Sequence, residues 1–281
     1  ELEKAIALWE DMIEQRPDDL MPVQFMVLAR TRLSDVYTSQ GKLLDSMLVL
    51  ESSASRLESL LKDDPGELAT SRILCNVYIN IGDVRVQLKD PVLARAAYDR
   101  VDELLEVAIE RSPEHVGLKE QRGANLRRIG DLIKDTDPDE GIAMQKQSLQ
   151  IYQQLSDADP NSANAMQNLA WAWFFLGQAE ASVPYREDAL EHFGEGWTLI
   201  VLHCAQNPDD AKSRRHVKVY LGALVEFHES LDARELIPGH CRRAAVVLQP
   251  VVESNPDNVA LAETLDHVLS VMRDADTNKS P

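Results

Sequence analysis

Apolar residues recur along this sequence with the spacing of an α-helix. After Pro65, and again after Pro160, they occupy the positions 9, 10, 13 and 16 residues beyond the proline, which lie on one face of a helix. The residues at these positions are Leu74, Cys75, Tyr78 and Ile81 in one stretch, and Leu169, Ala170, Trp173 and Leu176 in the other. One apolar stripe per segment predicts an all-α protein built from amphipathic helices, with essentially no strand.

Prolines divide the chain at a nearly constant interval. The intervals are 48, 48, 47, 48 and 48 residues, and they separate Pro17, Pro65, Pro113, Pro160, Pro208 and Pro256. Proline stops a helix, and the acidic residues or Asn that follow can cap the next one, so we expect a turn between two helices at each proline. A second break lies near the middle of four intervals, at Gly41, Asp90-Pro91, Asp137-Pro138 and Pro184. The repeating unit is therefore a pair of helices, A and B.

Helix B carries small and aromatic residues at helical spacing. The clearest examples are Ala94 with Tyr98 and Val101, and Ala189 with Phe193 and Gly196. Together with the stripe on helix A, these positions resemble the tetratricopeptide (TPR) repeat, which has Leu-small-x-x-aromatic on helix A and Ala-x-x-x-aromatic-x-x-Ala on helix B. The resemblance implies a right-handed superhelical solenoid of about five 48-residue TPR-like helix pairs. Since the usual unit has about 34 residues, these helices would be about two turns longer. Elongated units of this kind resemble the repeat regions of bacterial multidomain signalling proteins such as serine/threonine kinases.

The proline spacing also predicts the domain organisation, a single repeat domain over residues 1–275. Residues 1–15 fit the end of a helix B without its helix A, so we expect exposed apolar side chains there, such as Leu2, Ile6 and Trp9. The chain does not begin with Met, which suggests a larger parent protein. The predicted parts are a partial repeat (1–17), repeats (18–65, 66–113, 114–160, 161–208 and 209–256), a capping or partial-repeat helix (257–275) and a polar tail (276–281).

Composition narrows the choice of partner and compartment. Lys and Arg number 29 against 47 Asp and Glu, a net charge of −18, which argues against nucleic acid or an anionic membrane as the main partner. The cysteines, Cys75, Cys204 and Cys241, are odd in number and far apart, which is typical of buried thiols rather than a disulfide framework. No apolar stretch is long enough to span a membrane, and the first residues are unlike a signal peptide. We therefore expect a soluble, cytoplasmic protein.

Catalytic motifs are not found in the sequence. There is no Gly-rich phosphate loop, nucleophile elbow or His-Glu-x-x-His pair. The dipeptides His203-Cys204 and His240-Cys241 are adjacent residues, which point about 100° apart on a helix, so packing is favoured over zinc binding. We therefore expect no catalytic, cofactor-binding or metal-binding residue and no enzymatic activity. The alternative is an enzyme whose catalytic domain lies outside this chain, or whose groove modifies peptides.

The TPR resemblance implies a binding surface, because helix A lines the concave groove in that family. The groove positions carry five Arg and one Lys against one acid, which favours an acidic or carboxylate-bearing peptide as the partner. Arg72 and Asn76 resemble the basic-plus-Asn pair by which some TPR proteins hold a peptide carboxylate, and Trp171 is an expected apolar anchor beside a core Trp173. The candidate peptide-binding residues are Arg72, Asn76, Asn80, Arg127, Arg128, Gln167, Trp171, Lys212 and Arg215.

Four interpretations remain open at this point. The first is a non-catalytic scaffold that binds a peptide or protein segment in the groove. In the second, the repeats have a structural role and self-associate through the end helices. In the third, the chain is the regulatory repeat region of a larger bacterial signalling enzyme such as a serine/threonine kinase. In the fourth, the groove arginines pair with acids on neighbouring helices and the groove binds nothing.

Overall fold

The computed structural model describes residues 1–16, 19–64, 67–181 and 186–277. In these residues every regular element is helical, so the all-α, helical-repeat prediction is confirmed. The handedness and the number of repeats stay predictions. The helices are α1 (Leu2–Gln15), α2 (Leu20–Ser39), α3 (Leu43–Asp63), α4 (Leu68–Gln87), α5 (Pro91–Arg111), α6 (Val116–Ile133), α7 (Pro138–Ala158), α8 (Ala163–Ala179), α9 (Arg186–Gln206), α10 (Ala211–Ser230), a 3₁₀ turn (Arg234–Leu236), α11 (Ile237–Ser254) and α12 (Val259–Thr277).

The described prolines of the 48-residue series lie between helices, as predicted. Pro113, Pro160, Pro208 and Pro256 separate α5 from α6, α7 from α8, α9 from α10 and α11 from α12. Pro17, Pro65 and the mid-unit Pro184 lie outside the described residues. The C-terminal helix α12 also includes Asp276 and Thr277, which the sequence placed in the polar tail.

The mid-unit breaks have simple local causes. Gly41, between α2 and α3, has φ +73°, a left-handed conformation that glycine adopts without steric cost. Pro91 and Pro138 are the first residues of α5 and α7, where the missing N–H is not needed. Asp90 and Asp137 cap these helices by accepting hydrogen bonds from the backbone N–H groups three residues on.

The chain divides into two compact units, Glu1–Leu132 and Ile133–Pro281. In the first unit each helix from α1 to α5 packs against the next, and α2 also packs against α4. Fully buried aliphatic side chains of α2, α3 and α4, such as Val27, Leu50 and Leu74, form its core. A second cluster joins α4, α5 and α6 through Cys75, Val101 and Leu118.

The second unit has an aromatic core. Phe193 and Trp197 of α9 are buried against Tyr220 of α10, and α9 also packs on α8 and α11. The Tyr220 hydroxyl donates to the Phe193 carbonyl at 3.1 Å, and the Trp197 indole N–H donates to the His240 carbonyl at 3.1 Å. Each buried polar tip of these large side chains therefore has a hydrogen-bond partner.

Glycines on helix A meet aromatic rings on helix B. A Cβ atom added to Gly82 would lie 2.2 Å from the Tyr98 ring, and one added to Gly177 would lie 3.0 Å from the Ala189 carbonyl and 3.1 Å from the Phe193 ring. The motif residues therefore allow α4 to approach α5, and α8 to approach α9, more closely than larger side chains would permit.

One contact between helix A and the preceding helix B recurs after 48 residues. The Arg30 guanidinium donates to Glu10 at 2.7 Å, and the Tyr78 hydroxyl donates to Glu58 at 2.7 Å. Arg30 stands where the motif predicts an aromatic residue. The structure shows that this Arg supplies the same donor to the same carboxylate position.

The N-terminal helix does not expose the residues expected from its missing partner. Leu2, Ile6 and Trp9 are all half-buried rather than exposed, so that prediction is wrong. Ile6 and Trp9 pack against the core of the first unit, and Phe25 of α2 covers Trp9 with ring centroids 5.3 Å apart. Among the large apolar residues of α1, Leu8 is the exposed one, at 67%.

The three cysteines are buried free thiols, as predicted. Burial raises the pKa of Cys75 to about 12 and that of Cys241 to about 11, so both thiols are protonated at neutral pH.

None of the described helices is long and apolar enough to cross a membrane.

Candidate functional site

The nine candidate binding residues divide between the two compact units. The first unit carries its members on α4 and α6, and the second carries them on α8 and α10. The first set is Arg72, Asn76, Asn80, Arg127 and Arg128; the second is Gln167, Trp171, Lys212 and Arg215.

Polar side chains join α4 to α6 in the first unit. Gln121 of α6 donates from its amide nitrogen to the Asn76 side-chain oxygen at 2.8 Å and approaches the Arg72 carbonyl at 3.5 Å. Arg72 and Asn76 are exposed one turn apart on α4, and Asn80, one turn further, is half-buried. The structure therefore brings three of the predicted residues into one row, and adds Gln121, which the sequence analysis missed.

Arg127 and Arg128 already have carboxylate partners. Arg128 donates from Nε to Asp83 Oδ1 at 3.1 Å, and Arg127 Nη1 lies 3.6 Å from Asp131 Oδ2. The predicted excess of positive charge on this face is thus reduced by two aspartates that were not among the groove positions. Both aspartates lie 18 residues after a proline of the series, a recurrence that could have revealed them.

Asp83 also holds the buried ring of Tyr98. The Tyr98 hydroxyl donates to Asp83 at 2.6 Å, and burial together with this carboxylate raises the pKa of Tyr98 well above its ordinary value. Asp83 therefore connects the Gly82–Tyr98 contact of the fold to the guanidinium of Arg128.

Arg72 differs from the other two arginines of its set. Its side chain is exposed and forms no ion pair with any residue that the structure describes. Its Nη2 atom lies 3.9 Å from the place a Gly117 Cβ would occupy, so the guanidinium reaches over the first turn of α6. This leaves a full set of guanidinium donors beside Asn76 and Gln121.

In the second unit Trp171 is a packed residue rather than a freely exposed anchor. It is half-buried, and its ring centroid lies 5.3 Å from Phe174, 5.8 Å from His216 and 5.6 Å from Tyr220. Trp173, expected in the core, is likewise half-buried and lies 4.9 Å from the His192 ring. The two tryptophans point in different directions, because residues two positions apart on a helix lie on different faces.

The remaining residues of the second set surround this aromatic contact. Gln167 is half-buried one turn before Trp171, and the rings of His216 and Tyr220 bring α10 against α8. Lys212 and Arg215 are exposed on the first turns of α10 and pair with no acid in the described part of the chain.

A buried carboxylate that the sequence analysis did not single out joins three helices of the second unit. Glu180, at the end of α8, is fully buried, bonds to His192 Nδ1 of α9 and lies 3.2 Å from the Lys146 ammonium of α7. Burial favours the protonated acid, but the hydrogen bond and charge of His192, aided by Lys146, lower the pKa of Glu180 below its usual value. This charged cluster therefore links α7, α8 and α9 within the unit.

Two histidines form a buried pair in the same unit. The rings of His228 and His240 lie 4.9 Å apart, His228 Nδ1 donates to the Leu224 carbonyl at 2.8 Å, and Arg243 donates to His240 Nδ1 at 2.8 Å. Burial, together with the charges of its neighbours, lowers the pKa of His240 to about 3. Across the described residues no three His, Cys, Asp or Glu side chains group closely enough to hold a metal ion.

Comparison with known proteins adds only distant structural similarity. No protein-family model matches the sequence, and no curated protein does. Among solved structures, BtubC from P. vanneervenii is 14% identical, with 100% of this chain and 91% of that chain covered and a TM-score of 0.47. YrrB, described as a TPR protein with an unusual peptide-binding site, is 14% identical over 91% and 96% of the two chains, with a TM-score of 0.34. The APC/C hetero-tetramer Cut9–Hcn1 matches at 13% identity over 95% of this chain and 52% of that chain, with a TM-score of 0.33.

The class of this protein, an all-α helical repeat, is therefore defined by its own helices. The resemblance to repeats of kinases stays a prediction.

Proposed function

We propose that this chain is a non-catalytic protein-binding module that holds an extended, carboxylate-bearing peptide on the face formed by α4 and α6. The observation that carries the proposal is a row formed by exposed Arg72 and Asn76 and half-buried Gln121. The two amides are bonded to each other, and the guanidinium has no ion-pair partner among the described residues.

The chemistry of this row suits a peptide end or an acidic side chain. A guanidinium presents a planar fork of donors that matches both oxygens of a carboxylate. The Asn76 and Gln121 amides, already held at 2.8 Å, lose little further freedom when they bond to a peptide backbone. Arg127 and Arg128 have a smaller role in the proposal than was predicted, because Arg127 forms an ion pair with Asp131 and Arg128 donates to Asp83.

The second unit extends the proposal through separate residues. Lys212 and Arg215 provide positive charge on α10 that pairs with no acid among the residues the structure describes. Gln167 and half-buried Trp171 provide an amide and an aromatic ring on α8. We propose these four residues as a secondary acidic-peptide surface of that unit, with Trp171 held in place by its aromatic neighbours.

Replacing Arg72 with alanine is expected to weaken peptide binding by about tenfold or more, since a charge-assisted hydrogen bond contributes roughly 1.5–3 kcal/mol. The probe is a short fluorescein-labelled acidic peptide with a free C-terminal carboxylate, followed by fluorescence anisotropy. Affinity should fall as salt rises. The matched control is Arg111→Ala, which removes an exposed arginine at the end of α5.

The outcome that contradicts the proposal is an affinity unchanged by Arg72→Ala and also unchanged when the peptide carboxylate is amidated. The double variant of Arg127 and Arg128 is a poorer test, because it leaves the Asp83 carboxylate without its guanidinium partner. The unpaired carboxylate would then repel the acidic peptide.

Self-association is a second candidate function, favoured by an apolar stripe on α2. Met21, Phe25 and Leu28 follow one another at helical spacing and expose 52%, 45% and 46% of their surface. Exposed apolar residues arranged in one stripe are typical of protein contacts.

If this stripe mediates self-association, sedimentation velocity should show a larger species as protein concentration rises, and Leu28→Asp should restore the monomer. Gln40→Asp, at an exposed position between α2 and α3, adds the same single negative charge and serves as the control. A strict monomer at high concentration in the parent chain would eliminate this function.

A further inference from the structure

A cleft of about 420 Å³ lies between α9 and α11 in the second unit. Its floor includes Trp197, which is only 1% exposed, and its sides are formed by Val201, Ala244 and Val247. Val246 stands at the cleft with 74% of its surface in solvent. The lining is therefore a strip of mainly apolar carbon, and its solvent-accessible apolar side chains are Val246 and half-buried Val247.

Clefts of the first unit, by contrast, are lined by internal ion pairs. The cleft lined by α3, α4 and α5 contains Glu51 bonded to Arg85 at 2.9 Å and Glu58 bonded to Tyr78. The cleft lined by α1, α2 and α3 contains the Glu10–Arg30 pair. The cleft between α9 and α11 differs because the described residues that line it include no carboxylate.

Two arginines border this apolar strip. Arg242 is exposed and lies 3.8 Å from Asp276 of α12, a separation too long for a strong hydrogen bond. Arg243 is exposed and donates to the neutral ring of His240, which offers no compensating charge. In a chain of net charge −18, this is a local positive border on an apolar surface.

We propose that the α9–α11 cleft docks an amphipathic helix of a partner protein, with aliphatic side chains in the cleft and carboxylates beside them facing Arg242 and Arg243. A groove between two helices accepts the side-chain ridge of a third helix. The apolar walls exclude a purely acidic ligand, and the two arginines select acidic flanks over basic ones. This surface is distinct from the α4–α6 face and does not rest on the function proposed for it.

The test uses a designed helical peptide, labelled with fluorescein, that has leucines along one face and glutamates beside them. Fluorescence anisotropy should show binding that Val246→Asp weakens by at least tenfold, because the new carboxylate lies in the apolar strip and repels the acidic flanks. The control is Val92→Asp on α5, where the valine is 75% exposed but distant in sequence and in another unit. That variant should leave the affinity unchanged.

A charge exchange tests the second half of the proposal. The double variant Arg242→Glu with Arg243→Glu should bind the glutamate peptide about tenfold more weakly. It should bind more tightly a version of the peptide with lysines in place of the glutamates. Circular dichroism verifies that each variant remains helical. A further control peptide has serines in place of the leucines. The proposal is overturned if this control binds as tightly as the original peptide, or if the glutamate peptide fails to bind. It is also overturned if Val246→Asp and Val92→Asp change the affinity equally.

Discussion

Replacement of Gly196 by alanine is expected to destabilise the second unit by about 1–3 kcal/mol, the range for overpacking a close-packed interior. A Cβ atom at this position would lie 1.9 Å from the Tyr220 hydroxyl oxygen and 2.8 Å from the Ala170 carbonyl oxygen. The ring of Tyr220 is fully buried and its hydroxyl is bonded to the Phe193 carbonyl, so it has no free space into which to retreat. The Ala170 carbonyl belongs to the backbone of α8, and relief there requires that α8 and α9 separate.

The measurement is urea unfolding of the whole chain followed by circular dichroism. The matched control is Gly222→Ala in α10, where an added Cβ meets no atom within 4 Å. Alanine there should stabilise the chain by about 0.5–1 kcal/mol, because glycine loses more backbone freedom in a helix. The close-packing argument fails if the two variants shift the unfolding midpoint in the same direction.

Acidification is expected to destabilise the second unit through its buried histidine pair. The pKa of His240 is lowered from 6.5 to about 3, chiefly by burial, and that of His228 is lowered by the same cause. A base with a depressed folded pKa binds more protons when unfolded, so its contribution to stability is intact above pH 6.5 and is lost as pH falls from 6.5 towards 3. Between pH 7 and pH 5, His240 alone should cost about 2 kcal/mol.

Neighbouring charges modify this effect without changing its sign. Arg243 and His228 lower the pKa of His240 further, while Glu235 and the hydrogen bond to Leu224 raise that of His228. Carboxylates elsewhere also titrate in acid, so the informative quantity is the difference between variants.

The experiment compares urea unfolding at pH 7 and pH 5 for the parent chain, His240→Gln and His267→Gln. The first variant should lose part of the pH dependence, because glutamine does not titrate. The second removes an exposed histidine of α12 and should retain the full dependence. Equal pH dependence in the parent chain and His240→Gln would refute the explanation.

Much of the fold could be predicted from sequence because its determinants are local. Proline, glycine and helix caps act within a few residues, so helix ends followed from Pro113, Pro160 and Gly41 without knowledge of any tertiary contact. The buried face of α5 was also accessible, because helical spacing places Ala94, Tyr98 and Val101 on one side of the helix, where all three are buried.

The candidate site was predicted less well because its charges depend on contacts between helices. The sequence alone counted Arg128 as available for a ligand, but Asp83, 45 residues earlier, accepts its hydrogen bond. Trp171 was expected to be an exposed anchor, yet rings from two helices cover it. Helical periodicity gives the direction of a side chain relative to its own axis, and the partner in that direction is set by packing.

The equivalence of Arg30 and Tyr78 has a consequence for how such chains diverge. Each places one hydrogen-bond donor on a glutamate 20 residues earlier, although a guanidinium and a phenol share neither charge nor shape. One repeat can therefore replace the donor residue of another and keep the same hydrogen bond between its helices. The similarity between the repeats of this chain is then retained in which positions donate and which accept hydrogen bonds. A comparison that scores amino-acid identity alone will underestimate that similarity.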